Sequence, residues 1–226
     1  MIKAIIFDFD GTIIDTNTLI EDGLNHFAKQ YRGLKLTKQE LGHLTGKTLE
    51  YQMAYIHIEK ADSMTMQFRN WYNHHHNEQA RAFPGMIKLT QSLILQGYQL
   101  AIVSNNSKAS LDMGLKHLGL EDAFQYVITK DDVKNVKPSP EGLEKAMQLL
   151  GVQPHETLYV GDAITDIMAA RSAGAKSVLV GWTHLDANSI ILAESDYLIS
   201  SALHLFVVLD ALEERSFHPY FHGLAV

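Results

Sequence analysis

Apolar and polar positions follow two different periods along the chain, and the change from one to the other divides it. Met1 to Phe7 is an apolar run broken only by Lys3, and it leads into Asp8-Phe9-Asp10-Gly11-Thr12. A short Ile-rich run ending at Gly reads as a buried strand. The period then becomes helical. Leu19, Ile20, Leu24, Phe27, Ala28 and Tyr31 recur at three-to-four spacing and form one apolar stripe. Thr37-Lys38-Gln39-Glu40 is a capping-box pattern followed by Leu41 and Leu44, with Gly46 as the stop. A further helix runs from about Leu49 to Ile58, and Asp62 reads as the cap of a longer one that reaches about Ala82. Residues 15–82 therefore read as all-helical, with no strand signal.

Phe83-Pro84-Gly85 is a breaker, and beyond it strands and helices alternate. Predicted strands are Tyr98–Ser104, Tyr126–Thr129, Thr157–Gly161, Ser177–Val180 and Tyr197–Ile199. Predicted helices are Met86–Gln96, Ser107–Leu118, one opened by Ser139-Pro140 and closed by Gly151, Ala163–Ala173, and about Ala202–Leu212. This alternation implies βαβ units and a parallel sheet. The expectation is an α/β fold: a doubly wound, Rossmann-like parallel-sheet core over residues 1–14 and 83–226, with an inserted all-helical cap over 15–82.

Composition narrows the function. The 226 residues are 46 % apolar, enough for a full core. The formal charge of -7 argues against non-specific nucleic-acid binding, which needs a basic face. The absence of cysteine removes disulfides, thiolate metal sites and Cys nucleophiles, and it fits a reducing compartment. With no signal-length apolar start and no stretch of about 18 apolar residues, the expectation is a cytoplasmic protein with no membrane partner, monomeric or homodimeric.

The polar residues at predicted strand ends carry the candidate chemistry. Alternate strand positions share a face, so Asp8 and Asp10 are able to point together at the C-terminal end of the first strand, where open α/β sheets place ligands. Paired carboxylates repel unless a cation or shared proton compensates. An isolated D-x-D also reads as an Asp-rich turn. Ser104-Asn105-Asn106-Ser107 ends a second strand, with groups that suit phosphate oxygens, although Ser107 alone reads as a helix cap. Lys137 precedes Pro138, which favours an extended backbone and lets the ammonium point across the sheet ends, although Lys137 alone reads as a solvated lysine. Gly161-Asp162-Ala163-Ile164-Thr165-Asp166 ends another strand. Its two aspartates are four apart, so both are able to face one point, and few carboxylates with water suit Mg²⁺, although Asp162 alone reads as a helix N-cap.

Taken together in this order, D-x-D-G-T, Ser, Lys and G-D-x-x-x-D over nearly the whole chain resemble the haloacid dehalogenase superfamily of phosphatases. The subgroup it looks like holds phosphoglycolate phosphatases and pyrophosphatases with a helical cap. The resemblance implies Asp8 as the nucleophile that takes the phosphoryl group. It implies Asp10 as the acid and base, its carbonyl on the metal, with Gly11 and Thr12 in the turn beside the phosphate. Ser104, Asn105 and Lys137 would hold phosphoryl oxygens; Asp8, Asp10, Asp162 and Asp166 would form the Mg²⁺ site, Asp166 directly or through water.

Asp10 favours oxygen–phosphorus cleavage, because dehalogenase and phosphonate-cleaving members lack an aspartate there. A β-phosphoglucomutase-like phosphotransferase remains the alternative, but the cap histidine of mutases falls near Ile20, which cannot shuttle a proton. A catalytically weak phosphate- or Mg²⁺-binding regulatory protein is a third reading. Thr45-Gly46 lies where cap loops of this family approach substrate. Asp15–Ile20 and the run Asn73-His74-His75-His76-Asn77 resemble pyrophosphatase stretches, with His75 as a candidate substrate contact. A solvated helix face is the competing reading for that run, since consecutive helical positions diverge by about 100°. The substrate expected is a small phosphate compound, phosphoglycolate- or pyrophosphate-like. The aromatic tail Ser216–Gly223 reads as packing on the core or making a self-contact.

Overall fold

The computed structural model describes residues 1–217. Most of the aromatic tail, residues 218–223, lies outside the described residues. The chain runs β1 (Ala4–Phe7), β2 (Ile14–Asp15), α1 (Asn17–Arg32), α2 (Lys38–Leu44), α3 (Leu49–Ile56), α4 (Ala61–Gln79) and β3 (Arg81–Ala82). It continues α5 (Met86–Leu95), β4 (Gln99–Val103), α6 (Lys108–Leu118), β5 (Tyr126–Ile128), α7 (Glu141–Leu150), β6 (Thr157–Gly161) and α8 (Ile164–Ala173). The last elements are β7 (Lys176–Val180), α9 (Ala187–Ala193), β8 (Tyr197–Ile199) and α10 (His204–Phe217).

Six strands form one parallel sheet in the order β5-β4-β1-β6-β7-β8. Both faces are covered, and strand alternation sorts the side chains between them. Ile5 and Phe7 join Leu100, Ile102, Leu158 and Val160 against α5, α6 and α10. Ala4 and Ile6 join Ala101, Val103 and Tyr159 against α7 and α8. The strand order reverses at β1, flanked by β4 and β6. The crevice beyond the carboxyl ends of those three strands is the ligand position of a doubly wound sheet. The expected fold class is therefore the one observed.

Helices α1–α4 enclose a separate apolar cluster, with Leu24, Phe27, Leu44, Met53, Met64 and Phe68 at its centre. Gly33 closes α1 at φ 79, and the Thr37–Glu40 capping box opens α2 as its sequence predicts. Four sequence expectations need correction. The stretch 15–82 is not free of strand: Ile14 pairs with Ala82 and Asp15 with Arg81 in a short antiparallel ladder. Two residues per strand are too few for a periodic signal. Helix α4 starts one residue before Asp62, which sits inside its first turn and favours the helix dipole rather than capping it. Helix α7 has Pro140, not Ser139, at its N-cap. Helix α9, capped by the Asp186 side chain accepting from the Ser189 N–H at 2.8 Å, was not anticipated. No helix among the described residues is long and apolar enough to cross a membrane.

Candidate active site

The strand ends bring three carboxylates and one ammonium into one buried cluster. Asp8 leaves β1 with its N–H donating to the Val160 carbonyl at 2.8 Å, which fixes it between β1 and β6. Asp8, Lys137 and Asp162 are each at most 6 % exposed, and Asp166 is fully buried. One carboxylate oxygen each of Asp8, Asp162 and Asp166 lies within 4.8 Å of the others. Asp10 is outside this group. Its carboxylate turns aside and accepts from the Thr16 hydroxyl at 2.7 Å and the Asn106 amide at 3.1 Å.

Lys137 sits next to Pro138 across a cis peptide bond. Its Nζ reaches Asp8 Oδ1 at 2.9 Å, Asp166 Oδ1 at 2.6 Å and the Tyr159 hydroxyl at 3.0 Å. Two ammonium protons go to Asp166 and Tyr159, while the Asp8 contact is an ion pair whose Oδ1 accepts no hydrogen bond among the described residues. Asp166 Oδ1 also accepts from Tyr159, and Oδ2 accepts the N–H groups of Asp162 and Ala163 at 3.1 and 2.9 Å. Both oxygens of Asp166 are thus already engaged, and the residue holds Lys137 and the start of α8 in place.

Burial sets the electrostatics. It pushes the Asp8 carboxyl up to about 7, against the pull of Lys137 and with the help of Asp166. Burial, then Asp166 and Asp8, push Asp162 well above the usual carboxylate range. Burial alone would lower Lys137, but the Asp166 and Asp8 carboxylates outweigh it and hold the ammonium above its ordinary value. Three carboxylates beside one ammonium would, if all ionised, exceed its charge in a buried site, which is why Asp8 and Asp162 hold their protons so strongly. A hard divalent cation with oxygen preference fits that donor set.

Gly11 makes the cluster possible. Its φ is +78, and a Cβ there would fall 2.3 Å from Asp162 Oδ2. Thr12 beside it is fully buried, and its hydroxyl finds no partner among the described residues. Ser104 borders the cavity, its Oγ accepting from the Asn106 N–H at 3.1 Å. Asn105 borders it too, but its amide is spent on bracing. Its oxygen accepts from the Lys137 N–H at 2.9 Å, while its nitrogen donates to the carbonyls of Lys137 at 3.0 Å and Gly46 at 2.9 Å.

The last of these bonds ties the helical insert to the core. Gly46 has φ +72, and a Cβ there would come within 2.7 Å of Ala163 and Thr165. Only glycine lets this loop lie so close to the start of α8. Thr45 lines the cavity, with its hydroxyl donating to the Leu41 carbonyl at 3.1 Å. Glu50 of α3 adds an ion pair across the junction, 3.0 Å from Lys130, while also holding Arg69 at 2.7 Å. The cavity measures about 430 Å³ and opens to solvent at one side.

His75 is not brought to this cavity. Its ring stacks on Trp71 at 4.4 Å, and its Nδ1 lies 2.7 Å from the Trp71 carbonyl oxygen. His76 is buried against Tyr72 and His117, and His74 is exposed. Helical rotation of about 100° per residue turns the run away from the site. Sequence reasoning missed Tyr159, Thr16 and the cavity-facing Asn17, Lys47, Tyr72 and His184. Of these, Thr16 and Asn17 stood inside the Asp15–Ile20 stretch already singled out, without a role assigned; Tyr159 gave no sign, as an inward position on an apolar strand.

The Tyr159 hydroxyl accepts from Lys137 and also approaches the Val103 carbonyl at 2.9 Å. Tyr159→Phe should leave these groups under-bonded and cost about 1–3 kcal/mol. For a chain of this size, that is a melting temperature lower by roughly 2–12 °C. An unchanged melting temperature would show that the hydroxyl does not support the cluster.

The model of the haloacid dehalogenase-like hydrolase family matches residues 5–180. Pyrophosphatase PpaX of Bacillus mycoides (strain KBAB4) is 33 % identical over 211 residues, 93 % of this chain and 98 % of that protein. The structure of a predicted phosphoglycolate phosphatase from Haemophilus somnus 129PT superposes with TM-score 0.82 at 20 % identity, covering 92 % of this chain and 98 % of that one. A β-phosphoglucomutase from Clostridium difficile superposes with TM-score 0.80 at 24 % identity, covering 96 % and 100 %.

Proposed function

The chain belongs to the haloacid dehalogenase-like hydrolase family and is a phosphatase, and we propose that it is a Mg²⁺-dependent phosphohydrolase working through an aspartyl-phosphate. The observation that carries this reading is the placement of Lys137 between Asp8 and Asp166 beside Asp162, at the point where strand order reverses. Asp8 and Asp162, with the Asp10 carbonyl, would hold the cation, and Asp166 would support them from behind. Bound there, Mg²⁺ supplies positive charge that keeps the carboxylates ionised and offsets charge on the phosphoryl oxygens.

The chain's own groups divide the work. An Asp8 oxygen attacks phosphorus and forms a new P–O bond as the bond to the leaving oxygen breaks. Asp10, aimed by Thr16 and Asn106, gives its proton to that leaving oxygen. It then takes a proton from water, whose oxygen attacks phosphorus and releases Asp8 as carboxylate. Lys137, Ser104 and the backbone N–H groups of the turns hold the phosphoryl oxygens. The helical insert serves as a cap, held to the core through Gly46–Asn105 and Glu50–Lys130, and excludes water during the first transfer.

The relative's name makes pyrophosphate one compound to test, and phosphoglycolate a second. The phosphotransferase alternative is disfavoured by apolar Ile20 on the cavity wall. The test is release of inorganic phosphate with Mg²⁺, using Asp8→Asn as the blank; release no faster than the blank would reject the reading. The buried carboxylates give an independent readout. Cation binding requires them ionised, so Mg²⁺ should raise the melting temperature by several degrees at pH 8 and by less than about 2 °C at pH 5. Equal shifts at both pH values would dissociate Mg²⁺ from Asp8 and Asp162.

A further inference from the structure

We infer that the physiological substrate is a phosphate monoester with an apolar organic leaving group, not pyrophosphate, and that Asn17 supplies a buried, unpartnered donor to it. This rests on the phosphohydrolase reading and concerns the half of the cavity that faces away from the cluster. That half is walled by Ile20 and Leu24 of α1, Leu44 of α2, Leu49 at the start of α3, and Phe68 and Tyr72 of α4. Each of the four helices of the insert presents an apolar side chain to the space beyond Asp8 and Asp10. Leu24, Leu44, Phe68 and Tyr72 are themselves buried.

The polar groups on this wall are few, and most are committed. Gln52 Nε2 donates to the Leu44 carbonyl at 3.0 Å. Arg69 is exposed at the mouth and is held by Glu50 at 2.7 Å. Lys38, Glu21 and His184 border the cavity but are exposed, so they mark its rim. Lys47 is half-buried, its ammonium 5.8 Å from the centre of the Tyr51 ring. Asn17 differs from all of these: its Nδ2 is buried and finds no partner among the described residues. Asn17 opens α1 one residue after Thr16, whose hydroxyl donates to Asp10. An unpartnered donor beside the general acid is suited to an oxygen at or near the ester bond.

A phosphate leaving group would bring several charged oxygens against this wall, where the polar groups not at the rim are the Asn17 amide, the buried Tyr72 hydroxyl near Thr16 and the half-buried Lys47 ammonium. Burying charged oxygens without partners is strongly unfavourable. The α4 histidines are turned away, with His75 on Trp71 and His76 against Tyr72 and His117. An apolar group meets no such penalty there and gains by leaving water. The volume, about 430 Å³, falls in the range of pockets that enclose small organic molecules.

The experiment is a series of n-alkyl phosphates from methyl to pentyl, assayed with Mg²⁺ beside pyrophosphate and phosphoglycolate. The ester oxygens in the series have nearly the same basicity, so the trend in kcat/KM reports burial of the chain. Full burial of one methylene is worth about fourfold. The expected result is a rise of about two- to fourfold per methylene until the wall is filled, with pentyl phosphate preferred to both anionic compounds. Ile20→Asn should at least halve the logarithmic slope. A flat series, an unchanged slope in Ile20→Asn, or preference for pyrophosphate or phosphoglycolate overturns the inference and leaves the hydrolase reading standing. No turnover of any compound above the Asp8→Asn blank rejects the hydrolase reading and the inference with it.

Discussion

Asp8→Asn is expected to lower kcat by on the order of 10⁴-fold or more on every substrate, because no other side chain in the cluster is placed to take the phosphoryl group. The same substitution should not weaken the fold. In the protein without cation, burial raises the Asp8 carboxyl to about 7, against 3.8 for an ordinary aspartate. Below pH 3.8 the group is neutral whether the chain is folded or not. Between 3.8 and about 7 the folded protein keeps a proton that the unfolded chain has lost, so this residue's contribution to stability falls as pH rises. Above about 7 that loss is complete. Asn carries no charge at any pH. The melting temperature of Asp8→Asn relative to the parent, both free of divalent cation, should therefore increase from pH 5 to pH 8. A mutant that loses stability with rising pH, relative to the parent, would contradict the raised carboxyl. Activity within tenfold of the parent would remove Asp8 as nucleophile.

Lys137→Met should damage both stability and turnover. The ammonium is buried and pairs with Asp8 and Asp166, and the cluster has no second buried cation among the described residues. Removing the single cation of such a set leaves uncompensated buried charge and costs about 3–5 kcal/mol. For a chain of this length that is a melting temperature lower by roughly 6–20 °C. Turnover should fall by about 10²–10³-fold through loss of charge stabilisation on the transferring group. Mg²⁺ should recover part of the melting temperature, since it also neutralises the carboxylates, and little of the turnover, since it cannot take the lysine's place against the phosphoryl oxygens. Full activity with a lowered melting temperature would make Lys137 a structural counter-ion alone.

The legible parts of this molecule are those written locally. The strand runs end in Asp8, Ser104 and Asp162, and a strand's two-residue period with a polar turn is visible within a few residues. The strand ends then meet because a parallel sheet must align them. What escaped reading depends on contacts far apart in sequence. Tyr159 is 22 residues from Lys137 and 56 from Val103, and a tyrosine on an inward strand position looks like packing. Asn105 reads as a phosphate donor, yet its amide ties Lys137 to Gly46, a bond that needs the folded insert to exist. The histidine run stands out in composition, but which ring faces the cavity depends on helix rotation against Trp71 and Tyr72.

The ladder of Ile14 with Ala82 and Asp15 with Arg81 has a consequence for how such molecules diversify. The chain leaves the catalytic sheet and returns to it side by side, through a single doorway. Everything between is a plug-in module with its own apolar centre, so it is open to exchange without rethreading the sheet. A graft across this doorway would keep Asp8, Lys137, Asp162 and Asp166 in register, because the partners that position them lie outside it. It would need to reproduce the Thr16 hydroxyl on Asp10 and the Gly46 carbonyl on Asn105. On the function proposed above, trading this insert would change the wall that meets the leaving group and keep the residues that would break the bond.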